Sequence, residues 1–411
     1  MTDLAINGGI PYRDTNGSPF PQRTPYGERE IELVTEAIRS QSLFRFGGGM
    51  VPEFETRFAE MYGVDFAIGS TSGTAALHVA MGAINPNPGD EVITGPITDM
   101  GTIIPILFQN AIPVFADTNP DTYTMDPEDV ERLITPRTRA IIAIHLFGNS
   151  CDMNAIMEIA EKHKIPVIED CSQSHLATYE NRLVGTIGDI GCFSFQQSKH
   201  MSTGDGGMTV TSNPDYAETM RLFADKGYNR GNAEGHRMYR FLGINYRMTE
   251  LHAAVGLAQL DKVQNTVSRR RCLGDRLSAT ISGCPGVIPA PVTPGGTHSY
   301  WLYPLRVVGP TADKFAKALS AEGIAASAGY IGKPIFRCAA PLAEKLTYGD
   351  SSFPFDSPYT DRNITYSEDL CPVTQEILDQ LVVISFNENY TDGDIDDIGG
   401  AIQKVAAAIS A

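Results

Sequence analysis

A lysine does chemistry only when something frees its amine and something reactive sits beside it. Lys199 ends the run Gly191-Cys192-Phe193-Ser194-Phe195-Gln196-Gln197-Ser198-Lys199, and Gly204-Asp205-Gly206-Gly207 follows it. Placed after an apolar strand-like run and in a glycine-rich neighbourhood, such an amine can condense with an aldehyde once its pKa is lowered. Taken singly, a lysine is a solvated surface residue about nine times in ten. Asp170 closes Val167-Ile168-Glu169-Asp170 and precedes Cys171-Ser172-Gln173. A carboxylate at a strand end can hold a heteroaromatic ring nitrogen protonated, although a lone one more often caps a turn. Gly69-Ser70-Thr71-Ser72-Gly73-Thr74 offers small residues ahead of a helical pattern, where free amides would take a phosphate. Gly243-Ile244-Asn245-Tyr246-Arg247-Met248 stands in the same way before a long helical stretch. Plain N-capping explains either loop equally well when it is taken alone.

Joint order gives these weak signals weight, and the order depends on the elements that carry them. Apolar strand-like runs at 66–69, 91–94, 112–115, 140–144, 166–169 and 192–195 alternate with amphipathic stretches at 74–83, 102–108, 127–133 and 152–163. That alternation predicts crossover connections and a mostly parallel α/β sheet covered on both faces. Open sheets of this kind place ligands beyond the carboxyl ends of their strands, where the small-residue loop, Asp170 and Lys199 all fall. Residues 248–271 predict one long helix, from the helical spacing of Leu251, Val255, Leu257, Leu260 and Val263. After the Pro- and Gly-rich CPGVIPAPVTPGG come a strand candidate at 300–308 and a helix at 312–322. The expected division is a large α/β domain over 1–265 and a smaller α+β domain over 266–411.

At 411 residues the chain exceeds what one hydrophobic core usually spans. Its net charge of −17 would repel a phosphate backbone and anionic lipid, so no nucleic acid and no membrane partner is expected. Seven cysteines without a CxxC pair predict reduced thiols, and no metal-ligand spacing such as HxxxH appears, so no metal is expected. The opening MTDLAINGGIPYRD lacks a basic and then apolar leader, and no apolar run reaches the ~18 residues of a membrane span. A cytoplasmic location is expected.

The small-residue loop, the strand-end aspartate and Ser-x-x-x-x-Lys some thirty residues on together resemble the DegT/DnrJ/StrS-type family of pyridoxal-phosphate (PLP) sugar aminotransferases. The resemblance covers nearly the whole chain, from Asn7-Gly8-Gly9 and Val51-Pro52-Glu53-Phe54-Glu55 to residues 300–306 and 381–390. It implies the type I PLP-transferase fold, with Lys199 holding the cofactor covalently and Asp170 pairing with its ring nitrogen. It further implies that Gln173 packs by the ring, that Gly73, Thr74 and Ser194 hold the phosphate, and that Asn245 reaches the phosphate of a neighbouring subunit. A homodimer with shared active sites follows from that last match.

Relatives lacking the lysine carry histidine there and dehydrate sugars. Lys199, aligned without a gap through Gln-Gln-Ser-Lys, therefore argues for transamination even though His200 follows it. The FSFQQ-S-K form is similar to members that act on cyclitols such as scyllo-inosose with L-glutamine as donor. The expected reaction moves an amino group from L-glutamine or L-glutamate to a keto sugar or keto cyclitol. Rival readings are a nucleotide-linked keto-sugar acceptor, a PLP-dependent dehydratase or epimerase, and a PLP-binding regulator without turnover. One departure stands out: after Pro96-Ile97-Thr98 the family places an aromatic residue that stacks on the ring, and this chain has Asp99. Asp99, His145 and His298 are candidate substrate contacts, against the plainer readings of a helix cap and of ordinary structural hydrogen bonding.

Overall fold

The computed structural model describes residues 3–231, 236–360 and 362–409. Its centre is a sheet of β1 (Phe66–Ser70), β2 (Glu91–Thr94), β3 (Ile112–Phe115), β4 (Thr138–Ile144), β5 (Val167–Asp170), β6 (Ile190–Ser194) and β7 (Gly207–Thr211). The strand order is β1-β7-β6-β5-β4-β2-β3. Strands β2 to β6 pair in parallel, whereas β7 runs antiparallel to both β1 and β6. The chain is thus α/β with a mostly parallel sheet. The sequence expectation lacked β7.

Strands buried on both faces need helices on both sides. On one face lie α1 (Glu28–Arg39) and α2 (Met50–Tyr62), and on the other α3 (Gly73–Ile84) and α4 (Met100–Phe108). The crossovers continue through α5 (Pro127–Leu133), α6 (Met153–His163) and α7 (Pro214–Phe223). Side chains fix where these helices start. Ser72, Asp99, Asp126, Asp152 and Asn213 each accept an amide hydrogen bond at a helix N-terminus, and Pro127 and Pro214 occupy first-turn positions that need no donor.

Helix α8 (Glu250–Ile281) runs 32 residues, ten beyond the expected end. Its first half packs Leu257, Leu260 and Val263 into the central core, and its second half packs Leu273, Leu277 and Ile281 into another cluster. The expected boundary at 265 therefore lies inside one continuous helix. The second cluster is built on β8 (Val287–Ile288), β9 (Tyr303–Val307), β10 (Ala326–Ala328) and β11 (Leu381–Ile384), an antiparallel sheet in the order β8-β9-β11-β10. Helix α9 (Ala312–Ala321) and the C-terminal helix Asp392–Ile409 complete it. Leu4 and Phe20 pack here as well, not with the 1–265 unit in which the sequence placed them. Buried polar anchors explain this: Glu322 accepts from the amides of Ala5 and Tyr12, and Arg13 pairs with Asp394 at 2.7 Å. Among the described residues no helix is long and apolar enough to cross a membrane.

Candidate active site

The parallel strands point their carboxyl ends at one edge of the sheet, and the loops leaving β1, β2, β5 and β6 open there into a single cavity of about 380 Å³. Gly73, Thr74, Asp99, Asp170, Gln173, Ser194 and Lys199 all line it. Asn245, His145 and His298 do not.

The loop after β1 turns into α3 at Ser72, whose hydroxyl accepts from the amide of Ala75 at 3.0 Å. Gly73 and Thr74 thus occupy the first turn, where backbone N–H groups have no acceptor within the helix. Gly73 is required by packing: a Cβ there would stand 2.6 Å from the Cβ of Ser194. The start of α3 is therefore pressed against the end of β6, and its amides face a small polar cradle. A Cβ on Gly101 would meet the Thr74 hydroxyl at 2.7 Å, so the start of α4 is brought in just as closely.

Asp170 is buried at the end of β5, with both oxygens directed. Oδ2 accepts from the Thr102 hydroxyl at 2.8 Å and Oδ1 from the Ser172 amide at 3.0 Å. Gln173 accepts the Phe147 amide on Oε1 at 2.7 Å and donates through Nε2 to the Tyr330 hydroxyl at 3.3 Å. Lys199 hangs from a loop held by other parts of the chain. Arg23 donates to the carbonyls of Gln197 and His200, and Tyr26 donates to the Gln197 side chain at 2.6 Å. Burial pushes the Lys199 amine down to about 8, against the upward pull of Asp170 and Asp99. Its Nζ lies 3.6 Å from the centroid of the Trp301 ring. His200 faces elsewhere, its Nε2 2.9 Å from the Ser299 carbonyl, with burial driving its pKa well down.

His145 and His298 are both buried, and both ring nitrogens of His145 and Nδ1 of His298 are engaged in hydrogen bonds within the fold. The Cys151 amide donates to Nδ1 of His145, which leaves Nε2–H to donate to Glu169 at 2.9 Å. Glu169 also accepts from the amides of Gly185, Ile187 and Gly188. His145, Glu169 and Cys171 are close enough to suggest a metal centre, but these hydrogen bonds already use both ring nitrogens and both carboxylate oxygens. His298 accepts the Tyr300 amide at 2.8 Å, and burial pushes its pKa down to about 3. Asn245 is exposed, and its backbone bridges to Asp225.

Sequence reasoning missed the far wall. Trp301, just before β9, and Tyr330, just after β10, come from the C-terminal sheet's side of the cavity, and Thr102 orients Asp170. Trp301 is the single tryptophan of the chain, a signal that could have drawn attention to it. Asp99 caps α4 by accepting the Gly101 amide at 2.8 Å, as the plainer reading expects, and it also lines the cavity.

Residues 25–403 match the model of the DegT/DnrJ/EryC1/StrS aminotransferase family. A GDP-perosamine synthase of Caulobacter vibrioides is 38% identical over 283 residues, covering 67% of this chain and 75% of its own. An L-glutamine:2-deoxy-scyllo-inosose aminotransferase of Streptomyces kanamyceticus is 31% identical over 424 residues, covering 98% of this chain and 96% of its own. Among solved structures, the aminotransferase from Psychrobacter cryohalolentis matches with a TM-score of 0.81 at 28% identity, over 96% of this chain and 100% of that one.

Proposed function

The chain belongs to the DegT/DnrJ/EryC1/StrS aminotransferase family and is a PLP-dependent sugar aminotransferase, and from that premise we propose that it moves the amino group of L-glutamine or L-glutamate to an unphosphorylated keto sugar or keto cyclitol, scyllo-inosose being the type. The observation that carries this reading is the charge of the cavity. Among the described residues that line it, Lys199 is the one cation, against the carboxylates Asp99, Asp170 and Asp205. A diphosphate-linked acceptor would bring negative charge to an acidic wall, whereas a polyol needs only hydrogen bonds.

The residues present fit the cofactor. Amides at the start of α3, with Thr74 and Ser194, would hold its phosphate, and Gly73 keeps that cradle open. Bound PLP supplies an aldehyde for amines to condense with and a ring that takes up electrons. Asp170, directed by Thr102 and Ser172, holds the proton on the ring nitrogen. Gln173 braces the floor between Phe147 and Tyr330. Lys199 would hold the cofactor through its aldehyde and, once displaced by a donor amine, would be the group that carries the proton from the donor Cα. Its lowered pKa suits an amine that must alternate between neutral and protonated forms. The test supplies L-glutamine with scyllo-inosose or with a nucleotide-linked 4-keto sugar and reads products by mass. The expected product is the cyclitol with its carbonyl oxygen replaced by an amine. Amination of the nucleotide-linked sugar alone, or loss of water without gain of nitrogen, would contradict the proposal.

Asn245 serves a second copy in this reading. It is exposed beside Phe241, Leu242 and Ile244, and the apolar exposure of this stretch, 94% at Leu242, supports its use as a docking face. Mixing a Lys199→Ala chain with an Asn245→Ala chain should restore about a quarter of wild-type activity, since half the dimers would carry one intact site. No recovery despite demonstrated subunit exchange would refute the shared site.

A further inference from the structure

We propose that Asp99 sets the choice of amino donor, favouring the carboxamide of glutamine over the carboxylate of glutamate; this rests on the transamination reading above. The carboxylate is fixed in place. Its Oδ1 accepts the Gly101 amide at the start of α4, and the first turn of a helix favours negative charge. No hydrogen bond from another described residue reaches Oδ2. Asp99 lines the same cavity as Lys199 and is close enough for its charge to act on both the Lys199 amine and the Tyr330 hydroxyl. The donor must bring its α-amine to the atom that Lys199 vacates. Its side chain, four bonds longer at most, then stays inside this one cavity with Asp99.

Two carboxylates confined there repel each other. An amide NH2 instead donates to the open oxygen of Asp99. No arginine, and no lysine other than Lys199, lines the cavity among the described residues to offset the repulsion. Asp170 is already bound to Thr102 and Ser172, and Asp205 sits on the loop beyond Lys199, so Asp99 is the carboxylate with a free acceptor beside the reacting amine.

The test measures conversion of the lysine-bound cofactor to its amine form with each donor alone, so that no acceptor is involved. It compares wild type with Asp99→Asn, a change that keeps the helix cap because asparagine caps as well as aspartate. Wild type should favour glutamine, and Asp99→Asn should lower the glutamine-to-glutamate ratio of kcat/KM by about tenfold, mainly through faster reaction with glutamate. Raising the salt concentration should narrow the preference in wild type and leave the variant unmoved. A ratio unchanged by Asp99→Asn overturns the role of Asp99 while leaving the transaminase reading intact. Conversion by neither amino acid in wild type overturns the donor reading, and the role of Asp99 with it.

Discussion

Lys199→Ala is expected to abolish transamination, with a loss on the order of 10⁴-fold in kcat/KM. One amine is asked both to hold the cofactor and to carry a proton, and no second cation among the described cavity residues can substitute for it. His200 cannot, because its ring is buried and turned to the Ser299 carbonyl. The loop should keep its shape, since Arg23 and Tyr26 grip Gln197 and His200 rather than the lysine. An unchanged melting temperature would therefore accompany the lost activity. In the wild type, only the neutral amine attacks an aldehyde. With Lys199 pushed down to about 8, cofactor-free protein should recombine with PLP about tenfold more slowly for each pH unit below that point and level off above it. Stopped-flow absorbance across a pH series measures this. Activity retained in Lys199→Ala, or recombination that is flat with pH, would sink the assignment.

Asp170→Asn should leave the cofactor bound and lower kcat by about 10²–10³-fold. The phosphate cradle at α3 is untouched by the change, and an asparagine can still accept from Ser172 or Thr102. What disappears is the negative charge that makes a protonated ring nitrogen favourable. The effect should therefore fall on kcat while the affinity for PLP changes little, a split that separates charge from support. Turnover equal to wild type would reduce Asp170 to a turn residue.

The near side of the site was legible because an open parallel sheet sends successive loops to one edge. Strand ends at Ser70, Asp170 and Ser194 then place a small-residue turn, a carboxylate and a lysine-bearing loop together in the order in which they occur along the chain. The far wall was not legible. The backbone beside Trp301 is held from α8 at Arg269-Arg270-Arg271, a run that reads as a polar end to the helix. In the structure Arg270 is buried, pairs with Glu388 at 2.9 Å and donates to the Trp301 carbonyl at 3.1 Å. Charge along a sequence does not reveal a partner more than a hundred residues away. His145 and His298 show the same gap, for nothing in the chain tells that a backbone amide already donates to Nδ1 of each ring. Strand β7 begins at glycine and follows β6 with no helix between them, so the strand–helix alternation that predicted the other strands passed over it.

The central claim, that the cofactor is held on Lys199 in the cavity at the end of β6, can be read directly. Purified holoenzyme is reduced with borohydride, digested, and its peptides are mapped by mass spectrometry. The expected result is a phosphopyridoxyl group on Lys199 and on no other lysine. The same group on a different lysine, or none on any, would contradict the account.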